Sequence, residues 1–198
     1  MNNQNLFLIL ILLSYNYPIY IVAKNCKKDT NSVSNIICNI ENRKIILAFL
    51  MMGIFTLLYE YNRKDSVSFV LISILLISLI GLLNTIDYSI CHLYFAMIAF
   101  ISIYFFMVYN LVRIPNFILE ISVIFQILIG IGLFIYLLIN NKIKSCAINE
   151  EERKKLNLFI PELLLIINFG FFYLYLHYLE FVDSSVFLEQ TDPTFFCK

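Results

Sequence analysis

Six long apolar runs constrain this chain more than any other feature, because each is close to the length that a helix needs to cross a bilayer. A hydrocarbon layer of about 30 Å takes roughly 20 helical residues, and every backbone amide must find its partner inside its own segment. The runs extend from Leu6 to Ala23, Ile45 to Tyr61, Val67 to Ile86, Ser89 to Val112, Phe117 to Ile139 and Leu158 to Val182. Their Ile, Val, Phe and Tyr would favour strands in water. Runs of this length without period-two alternation fit helices in lipid and not a transmembrane barrel. The expected fold is all-α, a six-helix transmembrane bundle forming one domain over 1–198.

Composition closes off the alternatives. Hydrophobic residues make up 61% of the chain and charged ones 14%, against about 25% charged in soluble domains. This excludes a secreted disulfide scaffold, a disordered tail and a nucleic-acid binder. The formal net charge of zero gives no field to attract a polyanion. The expected partners are membrane lipids, and no cofactor is expected.

The connections set the topology. Asn62 to Ser66, Asp87 to Tyr88 and Arg113 to Asn116 are tight and make antiparallel neighbours, whereas Lys24 to Lys44 and Asn140 to Asn157 are long. Pro115 fixes a boundary, because proline lacks an amide donor and restricts the residue before it. Pro161 falls in a first helical turn, where proline is tolerated. The first run is interrupted by Ser14, Asn16 and Pro18, and its core is as short as that of a signal peptide. With no positive charge ahead of it and no small-x-small site near Tyr20, a retained helix is favoured over a cleaved signal.

Lysine and arginine divide unequally between the two faces. The first and fifth loops carry Lys24, Lys27, Lys28, Arg43, Lys44, Lys142, Lys144, Arg153, Lys154 and Lys155, ten in all. The other face carries Arg63, Lys64, Arg113 and Lys198, four in all. The positive-inside bias then places both termini away from the cytosol. Cys26 and Cys38 share the first loop and would close a disulfide only in an oxidising compartment; two free thiols are the equal alternative.

Polar groups inside the runs are the candidate functional residues, since each costs a few kcal/mol in lipid and normally faces the bundle interior. On the sixth run, Glu162, Tyr173, His177 and Glu180 fall within an arc of about 60°. On the fourth, His92, Ala96, Ala99 and Asn110 share a face with room for a close neighbour. Ser66, Ser73 and Asn84 align on the third, Gly53, Thr56 and Glu60 on the second, and Ser122, Gln126 and Gly130 on the fifth. Small polar residues in such positions are ordinary interhelical glue. Glu60, Asp87 and Glu162 lie near run ends, where headgroup water reaches them. His177 and Glu180, three apart, can meet on the helix surface, either as a packing pair or as a proton-responsive one. The candidate inner polar cavity comprises Asn84, His92, Glu162, Tyr173, His177 and Glu180.

Catalytic signatures are missing: the sequence holds no H-E-x-x-H, no G-x-S-x-G, no phosphate-binding loop and no potassium-filter sequence. Its two histidines and scattered acids give no metal-ligand spacing. A non-enzymatic role is expected.

The order of features resembles the six-span Frag1/DRAM/Sfk1 family of eukaryotic membrane proteins. Ile160-Pro161-Glu162-Leu163-Leu164, continuing through Phe169-Gly170-Phe171-Phe172-Tyr173-Leu174 to Leu179-Glu180-Phe181, is similar to that family's last helix, with Leu163 in place of a tryptophan. Gly81, Asn84, His92, Ala96, Phe100 and Tyr104 are similar to its glycine, asparagine, histidine and aromatic series across the third and fourth spans. Ile86-Asp87 departs from the usual phenylalanine-glutamine, and the first loop lacks the family's proline-rich pattern. The resemblance implies a multi-pass protein of an endomembrane or the plasma membrane. It implies a role in lipid-anchor remodelling, autophagy or phospholipid distribution. It also implies cytosolic termini and a lumenal first loop, opposite to the charge count. A small transporter or channel subunit and an intramembrane lipid hydrolase are the alternatives. The heavy use of Ile, Asn, Lys, Phe and Tyr resembles coding from an AT-rich genome, such as a protist's or that of a virus infecting one; a viral origin would place the protein in a host or virion membrane.

Overall fold

The computed structural model describes residues 3–24, 33, 43–85, 90–139 and 158–190, and among these every regular element is helical. In chain order the helices are α1 (Asn3–Lys24), α2 (Arg43–Arg63), α3 (Ser66–Asn84), α4 (Ile90–Arg113), α5 (Phe117–Ile139) and α6 (Phe159–Gln190). Each packs against the next in sequence, and α1 also meets α6, so the six close into a ring; α6 additionally touches α4.

Local chemistry sets the helix ends. At the α2–α3 turn, Lys64 takes the left-handed conformation (φ 60°). Asp65 then caps α3, its Oδ1 accepting from the Val67 and Ser68 amides at 3.1 and 3.3 Å while the Ser68 hydroxyl donates to its Oδ2 at 3.0 Å. Pro115 separates α4 from α5, and Asn116 Oδ1 accepts the Ile118 amide at 2.9 Å to start α5. Pro18 leaves α1 unbroken, unlike the interruption read from the sequence. In helices that pack together, neighbouring groups and local adjustments satisfy the carbonyl that proline frees. At the other end, α6 continues from Val182 to Gln190 because no proline or glycine stops it; hydropathy marks where the apolar run ends, not where the helix does.

Among the described residues, three helices are long and apolar enough to cross a membrane: Cys91–Arg113, Phe117–Tyr136 and Phe159–Val182. The outer surface agrees with this. Large apolar side chains such as Ile77, Ile101, Phe117 and Leu128 stand exposed, and along α5 they recur from Phe117 to Ile139. A monomer in water rarely shows contiguous apolar patches beyond a few hundred Å². The chain is an integral membrane protein.

Inside the ring, every helix contributes to one core. Ile11 and Tyr15 come from α1, Met52 and Tyr59 from α2, Ile72 and Leu75 from α3, Ile103 and Phe106 from α4, Leu119 and Val123 from α5, and Phe169, Phe172 and Tyr173 from α6. Phe106 is its aromatic centre, with ring centroids 5.9 Å from Phe169 and 5.6 Å from Tyr173. Glycines let the helices approach. A Cβ on Gly53 would stand 2.1 Å from Leu76 Cδ2, and one on Gly81 would stand 2.4 Å from the Phe95 ring.

The inward face of α3 differs from the expected one. Ser66 and Asn84 are exposed, whereas Ser68, Ile72, Leu75 and Ser78 are buried. That helix is apolar on all sides, so no contrast in the sequence marks which face turns in.

Candidate functional site

One end of the ring, where α2 ends, α3 begins, α4 ends and the second half of α6 passes, gathers charged groups. Glu60 and His177 are fully buried at 0% exposure, while the side chains of Arg63 and Glu180 are 10% and 21% exposed. Helical spacing explains their meeting. Glu60 and Arg63 are three apart on α2, and His177 and Glu180 three apart on α6, so each pair shares a face and the two faces oppose.

The four form a closed alternating ring. Arg63 Nη1 donates to Glu60 Oε2 at 3.1 Å, and Glu60 Oε1 stands 3.2 Å from His177 Nε2. His177 Nδ1 lies 3.0 Å from Glu180 Oε2, and Glu180 Oε1 accepts from Arg63 Nη2. Each carboxylate thus places one oxygen on the arginine and the other toward the imidazole. The Glu60–His177 contact is close in distance but off the hydrogen-bond direction, so it acts through charge; Nε2 makes no directed hydrogen bond.

A second layer fixes the first. The Tyr173 hydroxyl donates to Glu60 Oε1 at 2.8 Å. Arg63 also donates to Ser68 Oγ at 3.2 Å and Asn110 Oδ1 at 3.0 Å, and Asn110 Nδ2 donates to Ser68 Oγ at 3.2 Å. Arg63 therefore ties α2 to α3, α4 and α6. Asp65 accepts from Arg113 and, at 3.2 Å, from the Tyr109 hydroxyl. Burial by itself would raise the Asp65 carboxyl, but the Ser68 amide and hydroxyl and the Arg113 and Arg63 guanidiniums overcome it and hold the carboxyl below the usual carboxylate range. Tyr59 and Tyr173 enclose His177, with ring centroids at 4.4 and 4.3 Å.

The residues singled out from the sequence divide between the two ends of the molecule. Tyr173, His177 and Glu180 join this cluster. Glu162 lies at the start of α6, where its Oε2 accepts the Val33 amide at 2.8 Å. His92 is buried at the start of α4, its Nδ1 3.3 Å from Thr85 Oγ1. It is 18 residues along α4 from Asn110, about 27 Å at 1.5 Å per residue, so the two histidines do not converge. Asn84 is exposed and donates to Ile80 O of its own helix at 2.8 Å. Cys26, Cys38 and Asp87 lie outside the described residues.

Glu60 and Arg63 are the members that the sequence reading placed elsewhere, as an interfacial acid and a loop charge. Glu60 is buried because Arg63, one turn on, bends back beside it. Their three-residue spacing was the available signal. A second polar seam joins α5 to α6: Asn168 Nδ2 donates to Ser122 O and Gln126 Oε1 at 2.9 and 2.7 Å, and the Ser122 hydroxyl donates to Asn168 Oδ1 at 2.9 Å. Ser122 and Gln126 share the expected inner face, whereas a side chain on Gly130 would meet nothing within 4 Å.

Among the described residues no group of three His, Cys, Asp or Glu side chains could hold a metal ion. The arrangement can pair and hold charge inside an apolar bundle. No family model, no characterised protein and no solved structure matches this chain.

Proposed function

We propose that this chain is a six-span membrane protein of an endomembrane or the plasma membrane, without enzymatic activity of its own, that organises membrane lipid. The observation that carries the reading is how the charged ring is satisfied. Glu60 and Glu180 are saturated by Arg63, His177 and Tyr173, as in an element that shapes a bundle, and not presented to a reacting molecule. The apolar outer faces of α3, α4 and α5 offer lipid a continuous surface. Exposed tyrosines near the helix ends, Tyr61 and Tyr178 at one end and Tyr20, Tyr94 and Tyr136 at the other, suit two interfacial belts. Gly81, His92 and the α6 sequence carry the likeness to the Frag1/DRAM/Sfk1 family, which supports a lipid role.

The test is reconstitution of the purified protein into phospholipid vesicles containing a headgroup-labelled tracer. The expected result is a changed distribution of tracer between leaflets with the lipid chemically intact. Hydrolysed lipid would point to a hydrolase and an unchanged distribution would remove the lipid role. A second reading, a small ion-conducting subunit, draws on the buried Glu60–His177–Glu180 alignment; flux of protons or cations in the same vesicles would favour it.

A further inference from the structure

The ring of charges at the α2–α6 contact has one feature that a lipid role leaves unused: its charge balance depends on a single proton. Glu60 and Glu180 contribute two negative charges and Arg63 one positive charge. A neutral imidazole leaves the ring one charge negative, and an imidazolium makes it neutral. Asp65 lies 3.7 Å from Arg63 Nη1 as well, and Arg113 offsets its charge, so the count is unchanged. Geometry makes the same demand. A neutral imidazole has one N–H and one lone pair, yet both ring nitrogens of His177 lie close to carboxylate oxygens, Nδ1 at 3.0 Å from Glu180 in hydrogen-bond geometry and Nε2 at 3.2 Å from Glu60 off that direction. One of those contacts would set a lone pair against a carboxylate. With both nitrogens protonated, both contacts are attractive.

We propose that the Arg63–Glu60–His177–Glu180 ring is a proton-binding site, in which uptake of one proton by His177 closes the α2–α6 contact and its release weakens it. The proton comes from water at the Glu180 side, the more exposed carboxylate of the ring. One N–H bond forms on the imidazole and no other bond changes. The groups that face His177 come from α2 and α6. On α2, Tyr59 presents its ring beside His177 and Arg63 is held away by the two carboxylates. On α6, Tyr173 presents its ring and directs its hydroxyl to Glu60. Tyr15 of α1 stacks on the Tyr173 ring at 6.2 Å, and on α3 and α4 the neutral Ser68 and Asn110 hold Arg63 in place. A histidine that gains partners when charged adds stability at low pH and loses it as pH rises. The inference does not depend on the lipid role and would survive its failure.

Thermal unfolding of the full-length protein in detergent, at about pH 5.5 and about pH 8.5 on either side of the ordinary histidine range, tests it. Wild type and His92→Gln are expected to unfold about 3 °C or more higher at the acid pH, and His177→Gln is expected to lack that gain. An equal gain in His177→Gln, or none in wild type, overturns the proposal. A second measurement does not rely on the folding of that variant. In His92→Gln, which leaves His177 as the sole histidine, nitrogen-15 spectra of labelled histidine should show two protonated ring nitrogens at about pH 5.5. One bare nitrogen at that pH overturns the proposal as firmly.

Discussion

The Tyr173 hydroxyl donates to Glu60 Oε1 at 2.8 Å, joining two buried residues 113 positions apart in sequence. Removing it leaves a buried carboxylate short of a donor, a loss of roughly 1.5–3 kcal/mol for a hydrogen bond to a charged group. Tyr173→Phe should therefore unfold at lower temperature in detergent. In a double-mutant cycle with Glu60→Gln the two losses should be less than additive. Full additivity would mean that the bond contributes nothing.

Arg63 has the largest expected effect of any single residue. Arg63→Met leaves Glu60 and Glu180 facing each other without their shared cation, and breaking a buried pair this way costs about 3–5 kcal/mol. Arg63→Lys keeps the charge but not the two-pronged geometry and should recover part of the loss. Thermal unfolding in detergent is the measurement; an Arg63→Met variant as stable as wild type would contradict the burial of this ring.

Asp65 gives a pH-dependent prediction. Its carboxyl is held below the usual carboxylate range by Ser68, Arg113 and Arg63. A lowered folded-state value means that the stabilisation is complete above the unfolded value of about 3.9 and disappears as pH falls through the folded one. Asparagine caps a helix as well as aspartate does, so Asp65→Asn removes only the charge that faces Arg113 and Arg63; it should cost up to about 1 kcal/mol at neutral pH, and the gap to wild type should narrow in strong acid. A gap of constant size down the pH scale would show that charge plays no part.

Packing makes a prediction of its own. A side chain at Gly81 would drive into the Phe95 ring, so Gly81→Leu should destabilise the α3–α4 contact by roughly 1–3 kcal/mol, and Phe95→Ala should relieve part of that clash. Gly130→Leu, at a site with nothing within 4 Å, is the control and should leave the unfolding temperature nearly unchanged.

The helical class and the approximate places of α1 to α6 are legible in the chain, because length and apolar content set them, while the exact ends follow caps and prolines. The inward face of α6 is legible too, since Tyr173, His177 and Glu180 are rare polar groups on an apolar cylinder. Elsewhere the signal fails for physical reasons. On α3 every face is apolar, so Ser68 and Ser78 could not be told from Ser66 and Ser73. Glu60 and Arg63 sit where hydropathy falls, which reads as a helix end meeting water; only the opposing face of α6, a hundred positions away, turns them inward. Asn168 was hidden in the same way, because its partners Ser122 and Gln126 lie on another helix.

The six-span ring itself is tested most directly by labelling single cysteines, placed at Asn62, Ser89 and Asn116 in a cysteine-free background, with an impermeant reagent in sealed vesicles. The account predicts that positions 62 and 116 react from one side and position 89 from the other. Reaction of all three from the same side would contradict it, because α3 and α4 would then not cross the membrane.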